Sequence, residues 1–210
     1  MQTDSLTGCT VLRDTASGTN RAVTERRTGF TVWLTGLSGA GKTTIGHALA
    51  AELERRGAHV EVLGGDVVRA HLSKGLGFSR EDRDTNIERI GWVASRLTRQ
   101  GAAVVVAAIS PYEGTRASAR GMVEEHGIFV EVWVKASLEE CARRDVKGLY
   151  AKAFAGEITQ FTGVDDPYEE PEDAEIVADT VTLQREESVA FVMRELERLG
   201  VVREAAPTAG

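Results

Sequence analysis

Short runs of apolar, mostly β-branched residues alternate along this chain with segments whose apolar positions recur at helical spacing. The first kind of segment is typical of a strand buried on both faces of a sheet, and the second of an amphipathic helix. Their alternation predicts a doubly wound α/β domain, with a parallel sheet and helices on both faces. The predicted strands are 30–34, 60–63, 103–109 and 128–134, and the helices that follow them are 43–56, 84–99, 115–125 and 138–144.

The two ends of the chain differ in composition from its middle. Residues 1–24 are rich in Thr, Ser, Gly and Asp, and the last residues are small and polar, so 1–24 and 203–210 are predicted to be flexible. The domain is therefore expected to span 25–202. Within it, 175–177 is predicted to add a short strand, and 156–173, which has no steady period, to form an ordered functional loop. A closing helix is predicted along Val189, Val192, Met193, Leu196 and Leu199.

Composition and charge exclude several kinds of partner. The chain has 210 residues, 42% of them hydrophobic, which suffices for one core but not for two catalytic domains. A formal net charge of -7 repels nucleic acid and anionic lipid, and no apolar run is long enough to span a bilayer. Without a signal peptide the protein is expected in the cytoplasm, where Cys9 and Cys141 would be reduced thiols. Cys141 falls in a helical pattern and is expected to pack there.

Residues 36–43 match the P-loop pattern at every position. The motif follows a predicted strand and opens a predicted helix, so its backbone N–H groups can surround phosphate oxygens at the helix N-terminus. Lys42 is expected to reach the β- and γ-phosphates of ATP, and the Thr43 hydroxyl to ligate Mg²⁺. The domain is thus of the P-loop NTPase type. The expected nucleotide-binding residues are Gly36, Leu37, Ser38, Gly39, Ala40, Gly41, Lys42, Thr43 and Thr44.

The P-loop alone leaves the reaction open, because kinases, GTPases, motors and transport ATPases share it. The larger classes carry a metal-binding carboxylate at the end of a later strand, whereas the run 103–109 leads here into Ser110 and Pro111. Asp66 follows the strand 60–63, at the edge of the sheet where ligands bind in open α/β folds. It is a candidate to accept the proton of an acceptor hydroxyl, to interact with Mg²⁺, or to do both. The alternative is that Asp66 caps the helical segment after it.

Downstream of the P-loop, a series of short motifs resembles the adenylyl-sulfate kinase family, in order and at family-like spacing, between residues 29 and 180. The resemblance implies transfer of the ATP γ-phosphoryl group to the 3′-hydroxyl of adenosine 5′-phosphosulfate, a step of sulfate assimilation. It also implies a homodimer, since family members are commonly dimeric. The motifs are Trp33-Leu34-Thr35, Gly65-Asp66 with Arg69, Leu76-Gly77-Phe78-Ser79, Asp82-Arg83 with Asn86-Ile87, Ile109-Ser110-Pro111-Tyr112, Lys147-Gly148-Leu149-Tyr150, Ala155-Gly156-Glu157-Ile158, Phe161-Thr162-Gly163 and Asp166-Pro167-Tyr168-Glu169.

The resemblance also implies roles for residues that bind the acceptor. Phe78 and Phe161 would stack on the two faces of the acceptor adenine, although ordinary core packing is the alternative for both rings. Arg69 and Arg83 would bind the phosphosulfate group through their planar guanidinium groups. Asp66 would contact the acceptor, and Lys147 would open a mobile lid at about 147–170 and neutralise charge on the transferring phosphoryl group. Together with Arg69 and Arg83, the other expected acceptor-binding residues are Asn86, Ile109 and Ser110.

Four positions depart from the family pattern. Gly64 replaces the first Asp of an Asp-Gly-Asp motif, Glu113 and Phe154 stand where the family has Arg, and Gln160 replaces a Gly. The first three changes remove charged groups near an anionic site, which keeps two other hypotheses open. One is a P-loop kinase with a different nucleotide-like acceptor, and the other is a nucleotide-binding regulatory protein that has lost turnover.

Overall fold

The computed structural model describes residues 28–145 and 147–203, two short strands before them, and the backbone but not the side chain of Asp66. Apart from those strands and Arg203, the segments expected to be flexible lie outside the described residues, as does Cys9. The strands are β1 Val11–Leu12, β2 Arg21–Ala22, β3 Phe30–Thr35, β4 Val60–Gly64, β5 Ala103–Ala107, β6 Ile128–Lys135 and β7 Ile176–Asp179. The helices are α1 Lys42–Arg55, α2 Gly65–His71, α3 Arg80–Arg99, α4 Glu113–Glu124, α5 Leu138–Arg144, α6 Leu149–Phe154 and α7 Arg185–Arg198.

Five strands form one parallel sheet in the order β4-β5-β3-β6-β7, while β1 and β2 pair with each other in antiparallel fashion. Strand β3 lies at the centre and pairs with β5 and β6, so every residue of β3 and β5 is buried. Full burial explains why these strands read as continuous apolar runs rather than alternating ones. The doubly wound parallel sheet predicted from the sequence is confirmed.

A hydrophobic core lies on each face of this sheet. Leu34 and Val105 point to one face and pack with Leu49 of α1 and Leu196 of α7. Trp33 points to the other face, where it stacks on Phe129 at 5.7 Å between ring centroids and packs with residues of α3 and α4. Neighbouring residues of one strand thus serve opposite cores, because side chains alternate across a sheet. Cys141 of α5 is fully buried in the first core, as its helical pattern predicted.

The element ends differ from the sequence predictions in ways that have local causes. Helix α3 begins at Arg80 rather than at residue 84, because the Ser79 side chain accepts a hydrogen bond from the Asp82 N–H and caps the helix. Strand β5 ends at Ala107, two residues before the predicted end of its apolar run. Helix α6 was not predicted from the sequence, and α2 was expected only as a helical segment after Asp66; both are too short to show a clear period.

The sheet places one edge where several loops meet. Strands β4, β5 and β3 are neighbours in the sheet, so the loops after them leave from adjacent carboxyl ends, and the chain changes from one side of β3 to the other between β5 and β6. Ligands bind at such a switch point in open α/β folds. Among the described residues, no helix combines the length and the apolar composition needed to cross a membrane.

Candidate active site

The P-loop occupies the turn between β3 and α1, and glycine backbones make the turn possible. Gly36, Gly39 and Gly41 have φ angles of 147°, 79° and 105°, which side-chain-bearing residues rarely adopt. A Cβ at Gly36 would lie 2.5 Å from the Val134 carbonyl oxygen. Gly41 is the N-cap of α1 and offers no side-chain hydrogen bond to the first turn. The N–H groups of that turn are therefore left for an anion.

Lys42 lies under this loop with 8% of its surface exposed. Its ammonium group donates hydrogen bonds to the carbonyl oxygens of Gly36 and Leu37, each at 2.7 Å. The pKa of Lys42 is lowered to about 8, mainly by burial; Cys141 acts in the opposite direction, and the nearby charge of Lys147 adds to the lowering. A buried cation next to phosphate-binding N–H groups is suited to a polyanionic ligand.

One cavity of about 810 Å³ joins the phosphate-binding P-loop at 36–43, here called the cradle, to the loops that carry the other candidate site residues. Of the predicted nucleotide-binding residues, Gly36 and Leu37 do not line it, and the side chain of Asp66 lies outside the described residues. All the other site residues predicted from the sequence line this one cavity. The predicted residues that line the cavity are Ser38, Gly39, Ala40, Gly41, Lys42, Thr43, Thr44, Arg69, Phe78, Arg83, Asn86, Ile109, Ser110, Lys147 and Phe161.

Phe78 and Phe161 both line the cavity but differ in their surroundings. Phe78 is 55% exposed, and the Arg69 guanidinium lies 4.5 Å from its ring centroid. Core packing is therefore the wrong interpretation of Phe78. Phe161 makes an edge contact with Tyr150, with centroids 5.0 Å apart, and packs partly against the core. One side of the Phe161 ring is thus fixed by packing.

Arg83 is buried, and its guanidinium donates to backbone carbonyl oxygens on both sides of the cavity. Its Nε bonds to Phe78, and its terminal Nη2 bonds to Gln160. Its Nε also lies 3.7 Å from a carboxylate oxygen of Asp166. Arg69 donates to the Gly77 carbonyl oxygen at 3.1 Å. Both cations are therefore held in place by the loop that carries Phe78.

Asn86 and Ser110 supply polar groups to the same cavity. The Oδ1 atom of Asn86 is buried and has no hydrogen-bond partner among the described residues, so it is available to a ligand donor. Ser110 has a φ of 42°, and three contacts hold it there: its Oγ accepts from Trp33 Nε1 at 3.0 Å, and its carbonyl oxygen accepts from Arg116 Nη1 and from the Thr35 hydroxyl.

Asp66 is the second residue of α2, directly after β4. Its backbone therefore lies at the edge of the sheet that the sequence predicted. The alternative interpretation of Asp66 as a helix cap is wrong, because Gly64 occupies the N-cap position of α2.

The segment expected to form a lid contacts the P-loop directly. Lys147 lies in the turn before α6 and lines the cavity. The Tyr150 hydroxyl of α6 donates to the Ser38 carbonyl oxygen at 2.8 Å, and Tyr150 is buried. Asp145 accepts the N–H groups of Tyr150 and Ala151, each at 3.0 Å, and these bonds lower its pKa. The start of the lid is thus tied to the phosphate cradle.

Sequence reasoning missed a wall of the cavity formed by the end of α5, the loop after β7 and the start of α7. Arg144 donates to the carbonyl oxygens of Gly39 and Thr180, and the Thr180 hydroxyl donates to the Ala40 carbonyl oxygen. These bonds fasten the P-loop to β7. No local motif marks the residues of this wall. They are Arg143, Arg144, Thr180, Val181, Leu183, Gln184, Arg185 and Ser188.

The electrostatics of the cavity oppose those of the whole chain. The net charge is -7, yet cationic side chains outnumber the carboxylates Glu140 and Asp145 among the charged residues described in the lining. Local cations can therefore bind anions that the protein as a whole repels. The cationic residues are Lys42, Arg69, Arg83, Arg143, Arg144, Lys147 and Arg185.

The departures from the family pattern lie mostly away from the cavity. Glu113 and Phe154 are exposed and do not line it. A Cβ at Gly64 would meet no atom within 4 Å, so the missing carboxylate is not excluded by space. Gln160 has a φ of 58°, which is the left-handed conformation that a glycine would adopt easily. The backbone before Phe161 thus has a conformation that suits a glycine, although the residue is Gln160.

Comparisons with known proteins agree with this site. The sequence model of the family described as Adenylylsulphate kinase matches residues 28–179. The chain is 57% identical, over 174 residues, to an adenylyl-sulfate kinase from Picosynechococcus sp., and the alignment covers 83% of this chain and 97% of that protein.

Solved structures give the same result. An APS kinase from Mycobacterium tuberculosis, solved in complex with AMPPNP and APS, is 43% identical with a TM-score of 0.78, covering 81% of this chain and 99% of its own. A protein described as a hexameric APS kinase from Thiobacillus denitrificans is 40% identical with a TM-score of 0.67, covering 86% of this chain and 31% of its own.

Proposed function

This chain belongs to the adenylylsulphate kinase family, and on that premise we propose how its residues divide the work of the reaction. The chain is an ATP-dependent kinase that phosphorylates the 3′-hydroxyl of adenylyl sulfate, giving 3′-phosphoadenosine 5′-phosphosulfate. The observation that carries the assignment of residues is the single cavity that joins the P-loop cradle to Phe78, Phe161 and Arg83. One cavity can hold a donor phosphate chain and an acceptor base side by side.

At the donor end, the N–H groups of the P-loop bind the phosphate chain, and Lys42 moves its charge from the loop carbonyl groups to the β- and γ-phosphates. Mg²⁺ fits the oxygen donors available here, since Thr43 lines the cavity beside Lys42 and Asp66 follows β4. Thr43 and Asp66 would hold the ion, which would neutralise charge on the phosphate oxygens.

At the acceptor end, Phe78 and Phe161 stack on the adenine, and the buried Oδ1 of Asn86 accepts a hydrogen bond from the acceptor. Arg69 and Arg83 supply positive charge to the phosphosulfate group. Ile109 and Ser110 complete this wall of the pocket, and Ser110 is held by Trp33 and Arg116 rather than by local preference.

The chemical step is an in-line transfer. The 3′-hydroxyl oxygen attacks the γ-phosphorus while its proton passes to Asp66, and the bond from the γ-phosphorus to the bridging oxygen breaks to release ADP. Lys147 stabilises the charge on the transferring group, and the lid at 147–170 excludes water from it. The tie from Tyr150 to Ser38 couples the start of the lid to the cradle.

The exposed positions of Glu113 and Phe154 support retention of the family's acceptor, because neither side chain lines the cavity. A change of acceptor would need altered residues on the acceptor wall, and Phe78, Phe161 and Asn86 are all present there. The regulatory alternative rests on Gly64 alone.

A product assay with MgATP and three acceptors, adenylyl sulfate, AMP and adenosine, tests the proposal. Adenylyl sulfate should be phosphorylated with the highest kcat/KM, Lys42→Ala should abolish turnover, and Asp66→Asn should lower kcat by about 10² to 10⁴-fold. Phe161→Ala should weaken acceptor binding by about 1 to 3 kcal/mol while leaving ATP binding unchanged.

The matched control is Glu61→Gln, on the exposed face of edge strand β4, which should leave all kinetic constants unchanged. Tight ATP binding without turnover on any acceptor would support the regulatory hypothesis. A higher kcat/KM for AMP than for adenylyl sulfate would overturn the acceptor assignment.

The cellular location and the oligomeric state of the protein can also be proposed. We infer that the enzyme acts in the cytoplasm, where its donor ATP is available. The homodimer implied by the resemblance stays a prediction, which equilibrium sedimentation of the full chain tests, with a monomer or a larger assembly as the contradicting result.

A further inference from the structure

Arg83 makes an unusual set of contacts for a residue expected to bind an anion. It is 6% exposed and lies in the first turn of α3. Its Nε donates to the carbonyl oxygen of Phe78 at 2.9 Å, and its Nη2 donates to the carbonyl oxygen of Gln160, the residue directly before Phe161. A single guanidinium therefore bridges the backbones that carry the two rings.

The far side of this bridge is itself fixed. The Asp165 carboxylate accepts the N–H groups of Gln160 and Phe161 at 2.7 and 2.6 Å, so this stretch of backbone has a defined orientation. Asp166, which lies 3.7 Å from the Nε of Arg83, accepts the Tyr112 hydroxyl with both oxygens. Arg83 is thus held from the lid side by anchored groups.

The near side is fixed as well. Phe78 is 55% exposed, so its ring position depends on the short loop from Gly77 to Ser79 rather than on core packing. The Gly77 N–H bonds to Asp82 at 2.9 Å, and Arg69 lies 4.5 Å from the centroid of the Phe78 ring. The bond from Arg83 is the described link from this loop to the Gln160 backbone across the cavity.

We propose that Arg83 is a positioning residue that sets the separation of Phe78 and Phe161, so that the two rings are preorganised to receive a base between them. The inference rests on the proposed function, in which these rings hold the acceptor adenine. A planar fork can donate to two carbonyl oxygens in different directions, whereas the point charge of a lysine cannot reproduce that bridge. The role adds to the charge that Arg83 supplies to the acceptor.

The two roles of Arg83 differ in which ligands they affect. A group that only binds the phosphosulfate acts on acceptors in proportion to their charge. A group that spaces the rings acts on every acceptor that has the base, whether or not it carries a charged 5′ substituent. Adenosine, which has the base and no charge, separates the two.

The experiment compares wild-type protein with Arg83→Lys, which keeps the charge and loses the fork. Calorimetric titrations with adenosine, AMP and adenylyl sulfate, at saturating nonhydrolysable ATP analogue, should show affinity losses of about tenfold that are similar for all three ligands. In turnover assays the acceptor KM should rise about tenfold, with kcat and the KM for ATP changed by less than about threefold.

The matched control is Arg80→Lys, three residues earlier in the same helical turn, where the side chain is exposed and covers the Tyr112 ring. It should leave the affinities of all three ligands unchanged. A double-mutant cycle with Phe78→Ala adds a second readout, since Arg83→Lys should cost little further affinity once one ring is absent.

Losses confined to AMP and adenylyl sulfate, or strictly additive effects in the cycle, would overturn the positioning role. If Arg83→Lys does not fold, Asp166→Asn takes its place, with an expected loss of about threefold shared by all three ligands. Calorimetry needs no turnover. If the wild-type protein proved inactive as a kinase, the proposed function would fail, but weaker adenosine binding by Arg83→Lys would still support the positioning role.

Discussion

Lys42 is the residue whose chemistry the tertiary structure changes most. An exposed lysine is charged throughout the physiological range, but burial under the P-loop lowers the pKa of Lys42 from 10.5 to about 8. Between these two values the unfolded chain binds more protons than the folded one, so this group's contribution to stability rises as the pH rises from about 8 to 10.5. Below pH 8, the buried charge is a cost of building the cradle.

This shift predicts how ATP affinity depends on pH. Bound phosphates favour the charged form of Lys42, so binding takes up a proton above pH 8, and the affinity should fall by up to about tenfold per pH unit there. Calorimetric titration with a nonhydrolysable ATP analogue between about pH 7 and 9.5 measures it. Lys42→Ala serves as the control, with weaker binding and no inflection near pH 8. Constant wild-type affinity across this range would contradict the prediction.

Two other residues near the acceptor hold conformations that their side chains disfavour. Gln160 has a φ of 58°, and Ser110 a φ of 42°, where glycine is the natural choice. Ser110 is held by bonds from Trp33 and Arg116, and Gln160 by bonds to Asp165 and Arg83. Strain of this kind is maintained only where the surroundings over-determine the backbone, as they do at both positions.

Helix α4 and strand β6 are joined by a buried ion pair. Arg116 Nε and Glu131 Oε1 lie 2.7 Å apart, with Arg116 2% exposed, although the N–H is not aimed along this line and the contact is electrostatic rather than a hydrogen bond. Arg116 also donates to the Ser110 carbonyl oxygen at 2.9 Å. The pair therefore connects the packing of α4 against β6 to Ser110, which lines the acceptor end of the cavity.

Removing the carboxylate from this pair should destabilise the packing of α4 against β6. Glu131→Gln leaves the buried Arg116 without its counter-charge and should lower the free energy of unfolding by about 3 kcal/mol. Urea denaturation monitored by circular dichroism measures the change. Glu124→Gln is the control, because Glu124 is half exposed and pairs with Arg120 at 3.3 Å, which predicts an effect within about 0.5 kcal/mol. Equal effects of the two variants would show that the buried pair is not special.

At the scale of the whole molecule, the catalytic domain and the active-site cavity are formed by residues from nearly its full described length. The core begins at Phe30 and still includes Val192, Met193 and Leu196 of α7, which are almost fully buried. Each such side chain contributes about 1.5 to 3 kcal/mol by burial, so together they approach the roughly 5 to 15 kcal/mol net stability of a domain. Residues just before α7 also line the cavity.

These contributions predict opposite outcomes for two truncations. A chain that starts at Thr28, where the family match begins, should keep the thermal midpoint and the kcat of the full chain. A chain that ends at residue 184 lacks α7, exposes the first core and should not fold cooperatively. Circular dichroism melting and the product assay measure both. Loss of folding in the first truncation, or a cooperative melt in the second, would contradict the expected domain limits.

The sequence by itself determined those features that contiguous residues encode. The P-loop at 36–43 specifies its own turn and chemistry, the apolar runs specify a doubly wound parallel sheet, and the ordered motifs identify the family. Periodicity and short motifs are local, so they can be read without knowing what packs against what. The short helix α6 was not predicted, because its 6 residues are too few to show a period.

Only the tertiary structure decided which distant residues share the cavity and how each is held. The wall from Arg144 to Thr180, the tie from Tyr150 to Ser38 and the bridge of Arg83 to Gln160 join residues that are 36, 112 and 77 positions apart in the chain. Contacts at such separations depend on how the sheet and helices pack, which no local pattern specifies. Arg83 shows the difference: its sequence motif predicts a charge at the acceptor, while its packing makes it the bridge between the two rings.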